Sequence, residues 1–470
     1  MKKIYIMMVL VLAGTMATAQ TSVWHGGRQV WTQGTGTESD PYLIESADNL
    51  AYLAYVVNKG YETEDLYFRL TTDIDLNGSE DQQWVPIGIG LKRWFSEDGC
   101  DRGQASYAFY GIPQSSFRGH FDGGEHNISN IYINSTDDVY QYAGLFGSVE
   151  GRQEGQEVYP ATIENVFVTS GYIRGWSAGG IVGSGRNTVV SRCLNGADIE
   201  GLRSAGGIVG EYGYRVYNSY NLGDISGENA GGIVGNFGAD IEGCFNGGDI
   251  TGTYAGGIYG YALVKRVTIN NCYNTGSITA NEDYGVPIAS APAGPAAGGI
   301  ASFLFNGTTS ITNCYNVGSI SSTQDAGCIL AYGNNTTLEN NFYIATCDTG
   351  GEGEPLSEDY MRSQAFVDFL NSLGTGQVWA LDENNTNDGF PVLMEVNGLD
   401  VSEQPEASFS IYPNPAHGTF TVEGSGEMTV SNVLGQIILT KEIDGQTVVA
   451  LPQGLYFVKF GGAVRKIVVE

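Results

Sequence analysis

Short apolar runs, broken every few residues by glycine or asparagine, fill most of the chain. They lack the three- and four-residue spacing of an amphipathic helix, so the pattern predicts brief strands joined by tight turns. The most regular run is Ala-Gly-Gly-Ile-Val-Gly at residues 178–183, 205–210 and 230–235, returning as Ala-Gly-Gly-Ile-Tyr-Gly at 255–260. Looser copies begin at Ala143, Ala297 and Ala326, and the starts at Ala205, Ala230 and Ala255 are 25 residues apart. Between copies lies a second motif, seen in Cys193-Leu194-Asn195-Gly196 and Cys244-Phe245-Asn246-Gly247, followed by a short strand such as Asp198-Ile199 or Asp249-Ile250.

One such unit cannot bury its own apolar face. Units stacked at the strand spacing of about 4.8 Å give every strand a neighbour above and below, which is the parallel β-helix. The expected fold class is all-β: a parallel β-helix (β-solenoid) with short capping helices, followed by a small Ig-like β-sandwich.

Stacking would align Asn195, Asn221, Asn246, Asn274 and Asn316, either as a hydrogen-bonded ladder or as separate left-handed turn formers. The repeated glycines suit corners that need positive φ. Cys193, Ser219, Cys244, Cys272 and Cys314 share one slot per coil. Buried thiols fit that slot better than disulfides, because parallel side chains bridge poorly and Ser219 has no partner. Cys100 and Cys347 are among the cysteines outside the column, and their state stays open.

Open solenoid ends need caps. Residues 46–59 place Leu50, Leu53, Ala54 and Val57 at helical spacing after a Ser46 N-cap, and residues 358–373 read as a second helix with Phe366, Phe369 and Leu370 on one side. Residues 379–393 would close the last coil.

The chain resembles the GLUG-repeat β-helix proteins of bacterial surfaces over most of residues 34–394. The similar stretches are Asp40-Pro41-Tyr42-Leu43-Ile44, Leu70-Thr71-Thr72-Asp73-Ile74-Asp75-Leu76, Phe117-Arg118-Gly119-His120-Phe121-Asp122-Gly123, Gly144-Leu145-Phe146-Gly147 with its Gly-Ile-Val-Gly copies, and Asp388-Gly389-Phe390-Pro391-Val392-Leu393. The resemblance implies a surface location more than an activity, since such repeats occur in adhesin-like proteins and as accessory parts of secreted proteases.

At the N-terminus, Lys2-Lys3, an apolar run over residues 4–13 and Ala17-Thr18-Ala19 before Gln20 make a signal peptide cleaved between Ala19 and Gln20. No later run has the length of a transmembrane helix, so the mature chain is expected to carry no transmembrane segment. At the other end, Tyr412-Pro413-Asn414-Pro415, Asn432-Val433-Leu434-Gly435-Gln436, Gly454-Leu455-Tyr456-Phe457-Val458 and Lys466-Ile467-Val468-Val469-Glu470 resemble a type IX secretion sorting domain of type A. That resemblance implies a member of the Bacteroidetes, contact with the type IX machinery, and export to the cell surface or beyond. The expected division is residues 1–19 signal peptide, 20–394 β-helix with caps, 395–408 linker and 409–470 sorting domain.

The composition, with 68 Gly, 28 Tyr and 42% hydrophobic residues, leaves ample material for a core. A net charge of −30 from 52 acidic and 22 basic residues opposes nucleic acid and anionic membranes as partners.

Catalytic signals are sparse. His25, His120, His126 and His417 form no H-E-x-x-H pair. Asp73-Ile74-Asp75-Leu76-Asn77-Gly78 begins like a calcium loop, but Trp84 stands where the bidentate Glu belongs. Asp198, Asp224 and Asp249 should stack as a solvated acidic column, with calcium the one ion it would accept; no cofactor is otherwise expected. Two insertions interrupt the repeats: residues 91–116, with Trp94, Tyr107, Phe109 and Tyr110, and residues 281–296, with Tyr284. Solenoid insertions emerge as loops, and exposed aromatics stack on sugars or anchor proteins. The sequence therefore points to a non-enzymatic surface protein that recognises a glycan or a host or matrix protein. A carbohydrate-active β-helix enzyme (glycosidase or lyase) and a passive envelope component are the rival readings.

Overall fold

The computed structural model describes residues 21–89, 115–135, 141–263, 266–281, 294–305, 307–373 and 378–394, and, towards the C-terminus, 410–412, 416, 418–432, 437–452, 454–460 and 463–469. These belong to two compact units, residues 1–397 and 398–470.

The first unit is a parallel solenoid with four sheets. One coil shows the plan: Thr188–Ser191 lies in the first sheet, Leu194–Asn195 in the second, Asp198–Gly206 in the third and Val209–Glu211 in the fourth. Each strand pairs in parallel with its counterpart one coil on, through Val190 with Val216, Leu194 with Tyr220, Ile199 with Ile225 and Val209 with Val234. The sheets contain 10, 11, 10 and 7 strands in that order. Branched side chains stack inward: Ile163, Val190, Val216, Ile241, Ile269 and Ile311 form one fully buried column. Strands buried in this way favour Val and Ile, whose branching fits the pleat.

The corner between the first and second sheets uses the left-handed region at Asn165, Arg192, Asn218, Gly243, Asn271, Asn313 and Asn340. Directly after it comes the small column. Cys193, Cys244, Cys272 and Cys314 are all buried and free, as expected. Each slot accepts a backbone N–H from the preceding coil: Cys193 donates to Ser219 Oγ at 3.1 Å, Cys244 to Cys272 Sγ at 3.4 Å and Cys314 to Asn341 Oδ1 at 3.1 Å. Burial pushes the Cys193 thiol up to about 12.

Of the two readings of the aligned asparagines, the ladder is observed. Asn195, Asn221, Asn246, Asn274 and Asn316 are fully buried. Each Nδ2 of the first four donates to the next Oδ1, at 2.7, 2.8, 2.7 and 2.8 Å. The second Nδ2 hydrogen closes on the carbonyl two residues ahead, as in Asn246 to Gly248 at 2.8 Å. The ladder also explains the motif glycines, and corrects their expected role. Gly180, Gly207, Gly232, Gly257 and Gly299 do not have positive φ. A Cβ there would run into the Asn195, Asn221, Asn246, Asn274 or Asn316 side chain and into a backbone carbonyl of the next coil. Space, not conformation, requires glycine.

On its outer face the second sheet carries an aromatic column, in which Tyr220, Phe245, Tyr273 and Tyr315 stack with centroids 5.0, 4.7 and 4.9 Å apart. This column settles where the C-terminal capping segment goes. The expected single helix is two, Glu358–Met361 and Gln364–Ser372, because Ser363 starts a new N-cap by accepting from Phe366 N. Phe366 and Leu370 are buried and Phe369 is at the rim, 36% exposed. Phe366 packs edge-on to Phe342, Trp379 lies against Tyr273 and Tyr315, and the Tyr315 hydroxyl donates to Pro391 O. The segment therefore lies along the side of the solenoid, over the aromatic column, instead of closing its last coil.

The ends are closed differently. At the start, Ala47–Asn58 forms the expected helix with Ser46 as N-cap, burying Leu50, Leu53, Ala54 and Val57 against the first coils. At the far end, residues 345–353 cross the last coil. Cys328 N donates to Gly350 O at 2.9 Å, Cys347 packs against the core, and a Cys328–Cys347 disulfide pins the crossing.

The second unit is antiparallel. Thr419–Asn432 pairs along its length with Ile437–Ala450; on its other edge its first half meets Ser410–Tyr412 and its second half Gly454–Phe460, which pairs with Ala463–Val469. Phe420, Val422, Met428, Val430, Val458 and Ile467 form its core.

Replacing Asn246 with Ala strands the Asn221 donor, the Asn274 acceptor and the Gly248 carbonyl, and is expected to cost about 3 kcal/mol or more in urea unfolding. An unchanged midpoint would refute the ladder. The Cys328→Ser, Cys347→Ser pair should lose about 3 kcal/mol, the value for closing a loop of this size, and should raise self-association in light scattering; a monomer of native stability would contradict the stapled cap.

Candidate functional site

The turn from the fourth sheet to the next coil's first sheet carries Tyr212-Gly213 and, one coil on, Phe237-Gly238. Tyr212 and Phe237 both adopt left-handed backbone, with φ of 61° and 58°. Bulky aromatics rarely do so, and backbone strain of this kind concentrates at functional sites. Their rings stack in parallel at 4.4 Å, and the Arg186 guanidinium lies 5.0 Å from the Tyr212 centroid. Arg118 reaches Glu150 at 3.4 Å, and Arg152 reaches Glu64 at 3.1 Å and Glu154 at 2.6 Å. Together these turns border an open cleft of about 700 Å³, whose lining includes Asn187, Gln153 and Tyr214. Glu150 is its one lining carboxylate, and it is already paired. Burial, reinforced by Glu211, holds the Tyr212 hydroxyl above its usual range.

A second polar cluster occupies the seam between the third and fourth sheets. Ser177 Oγ donates to Glu211 Oε2 at 2.7 Å. Burial first, and Glu211 second, raise the Tyr142 hydroxyl. Asn229 is fully buried, with neither amide atom partnered among the described residues. Glu228, 4% exposed, is pushed up to about 7 by burial, against the opposing pull of Arg203.

Several residues singled out in the sequence have structural roles. Asp75 Oδ1 accepts from Asn77 N and Asn130 Nδ2 at 2.7 and 2.9 Å, while Asp73 faces His126 at 3.2 Å. Trp84 is buried and donates to Leu145 O. His120 stacks on Tyr67 and meets Thr162 Oγ1 at 2.9 Å, and burial lowers its pKa. In the acidic column, Asp198 and Asp224 accept the amide of Asp224 and Asp249 in turn, and Asp249 accepts that of Ser277. Among the described residues no three His, Cys, Asp or Glu gather as a metal set.

Trp94, Tyr107, Phe109, Tyr110 and Tyr284 lie outside the described residues, as do Ala19, Gln20, Pro413, Asn414 and Pro415. Gly454, Leu455 and Tyr456 begin the strand Gly454–Phe460, and Lys466 sits in the paired strand opposite Phe457. Tyr456 is buried and donates to Pro452 O at 3.0 Å. The Arg186, Tyr212 and Phe237 cleft was missed in the sequence. The signal was an aromatic-glycine pair directly after successive repeat motifs.

Residues 410–470 match the family described as the secretion system C-terminal sorting domain. That domain directs export by type IX secretion to the cell surface or extracellular space. In the described residues no helix is long and apolar enough to cross a membrane. A stretch of 166 residues is 30% identical to a provisionally named Gly-rich membrane protein of Evansella cellulosilytica, covering 35% of this chain and 15% of that one. Another of 202 residues is 30% identical to halomucin of Haloquadratum walsbyi, covering 42% of this chain and 2% of that protein. The chain thus spans a small fraction of the curated relatives it matches. A crystal structure from Bacteroides ovatus, provisionally assigned as an immunoglobulin A1 protease, aligns over 77% of this chain and 95% of its own at 17% identity and a TM-score of 0.44.

The raised Glu228 has a pH consequence. A carboxyl that titrates near 7 when folded and near its ordinary value when unfolded binds more protons in the native state between those limits, so its contribution fades as pH rises through about 7. Glu228→Gln should therefore melt higher than the parent at pH 8 and close to it at pH 5. Equal melting differences at the two values would contradict the buried, protonated carboxyl.

Proposed function

We propose that this is an exported binding protein of the cell surface or extracellular space, adhesin-like, and that its solenoid recognises a glycan in preference to a host or matrix protein. The cleft at Tyr212 and Phe237 carries this reading: it is concave, walled by a stacked aromatic pair, and furnished with amides and guanidinium groups for sugar hydroxyls. Glycoside hydrolysis takes two carboxyl groups across the scissile bond, and this lining supplies one, held by Arg118. A tyrosine acting as base needs a lowered pKa, whereas that of Tyr212 is raised. Binding without turnover is the function these groups support.

The same proposal includes a signal peptide over residues 1–19, GLUG-type repeats in the solenoid, and engagement of the type IX machinery by residues 409–470. The insertion aromatics Trp94, Tyr107, Phe109, Tyr110 and Tyr284 are the competing candidates for the contact.

Full-length chain applied to immobilised glycans and matrix proteins should retain one glycan class, and Tyr212→Ala, Phe237→Ala should lose it. Retention that survives this pair but fails in Trp94→Ala, Tyr110→Ala would move the site to the insertion. Release of reducing sugar from the retained glycan would replace binding with catalysis.

A further inference from the structure

We infer that the cleft selects saccharides bearing a carboxylate, as in a hexuronate or a sialate; this rests on the glycan-binding reading above. In a chain with 22 basic against 52 acidic residues, this one cleft gathers Arg118, Arg152 and Arg186. Two of them are occupied, Arg118 by Glu150 and Glu64 and Arg152 by Glu64 and Glu154. Arg186 differs. It is exposed, and among the described residues it meets the Tyr212 hydroxyl and forms no ion pair.

Its guanidinium stands beside the Tyr212 ring at 5.0 Å, and that ring is held by Phe237 at 4.4 Å. Stacking restricts a long flexible side chain, so less entropy remains to be lost when its fork engages a ligand. A guanidinium fork matches a carboxylate with two parallel hydrogen bonds, a geometry a neutral sugar hydroxyl does not offer. The paired arginines also matter, because their acids neutralise them, whereas among the described residues Arg186 forms no ion pair. The aromatic wall would take a pyranose face while Arg186 takes the acid.

The test is calorimetric, with full-length protein and two matched pairs of probes: a galacturonic acid tetramer against its methyl ester, and sialyllactose against lactose. The acid member of at least one pair should bind about tenfold tighter or more than its neutral partner, the preference expected of a charge-assisted hydrogen bond. Arg186→Gln should abolish the acid's advantage over its neutral partner, and Arg186→Lys should restore part of it. Equal affinity for acid and neutral members would overturn the carboxylate inference while the glycan reading stands. No binding of any sugar by a folded parent protein, checked by circular dichroism, would overturn both.

Discussion

A column of asparagine amides runs fully buried along the bore, the first four each closing one hydrogen bond to the coil ahead and one to its own turn. An unpaired amide in that position would cost a full desolvation penalty, so every coil must keep the register of its neighbour. The requirement propagates. The amides fit only because glycine faces them across the bore, which fixes Gly180, Gly207, Gly232, Gly257 and Gly299 as the centre of the repeat. With register fixed, the outward residues of the second sheet align into the aromatic stack, and that stack is what the segment from Glu358 onward covers.

On the proposed reading, the same register places binding at the corners. Inside, each coil is nearly identical, and variation there would break the ladder. Outside, at the turn leaving the fourth sheet, successive coils are free to differ, and they supply Arg186, Tyr212 and Phe237 in turn. The strained backbone of the two aromatics is tolerable because the coils on either side leave the turn no other course. On that reading the solenoid is a rigid rack for side chains that would lose affinity on a loose loop.

Much of the solenoid was legible because its repeats are short and its period is visible, down to the Cys193 column and the first helix. The ladder was one of two readings, since an asparagine that bonds its stacked neighbour and one that turns a corner look alike in sequence. The left-handed corners fall instead on Arg192, Asn218, Gly243, Asn271 and Asn313, one residue before the small column. The C-terminal helices were recognised as amphipathic but sent to the wrong face, because amphipathicity states that a helix needs an apolar partner without naming it. The Cys328–Cys347 staple depends on a long-range approach that spacing does not reveal. The cleft escaped for a similar reason: its parts come from separate coils, and the aromatic-glycine pair that marks it reads as an ordinary turn.

On the proposed reading, a rigid, ladder-locked solenoid presents its binding residues at the corner turns. Hydrogen exchange read by mass spectrometry, on the full-length chain with and without saturating oligosaccharide, tests it most directly. Ligand-induced protection is expected in peptides covering the cleft, residues 118, 150–153, 185–187, 212–214 and 237–238, with the ladder strands slow to exchange in both states. Protection confined to residues 90–114 and 282–293, or fast exchange at Asn221 and Asn246 in the free protein, would contradict it.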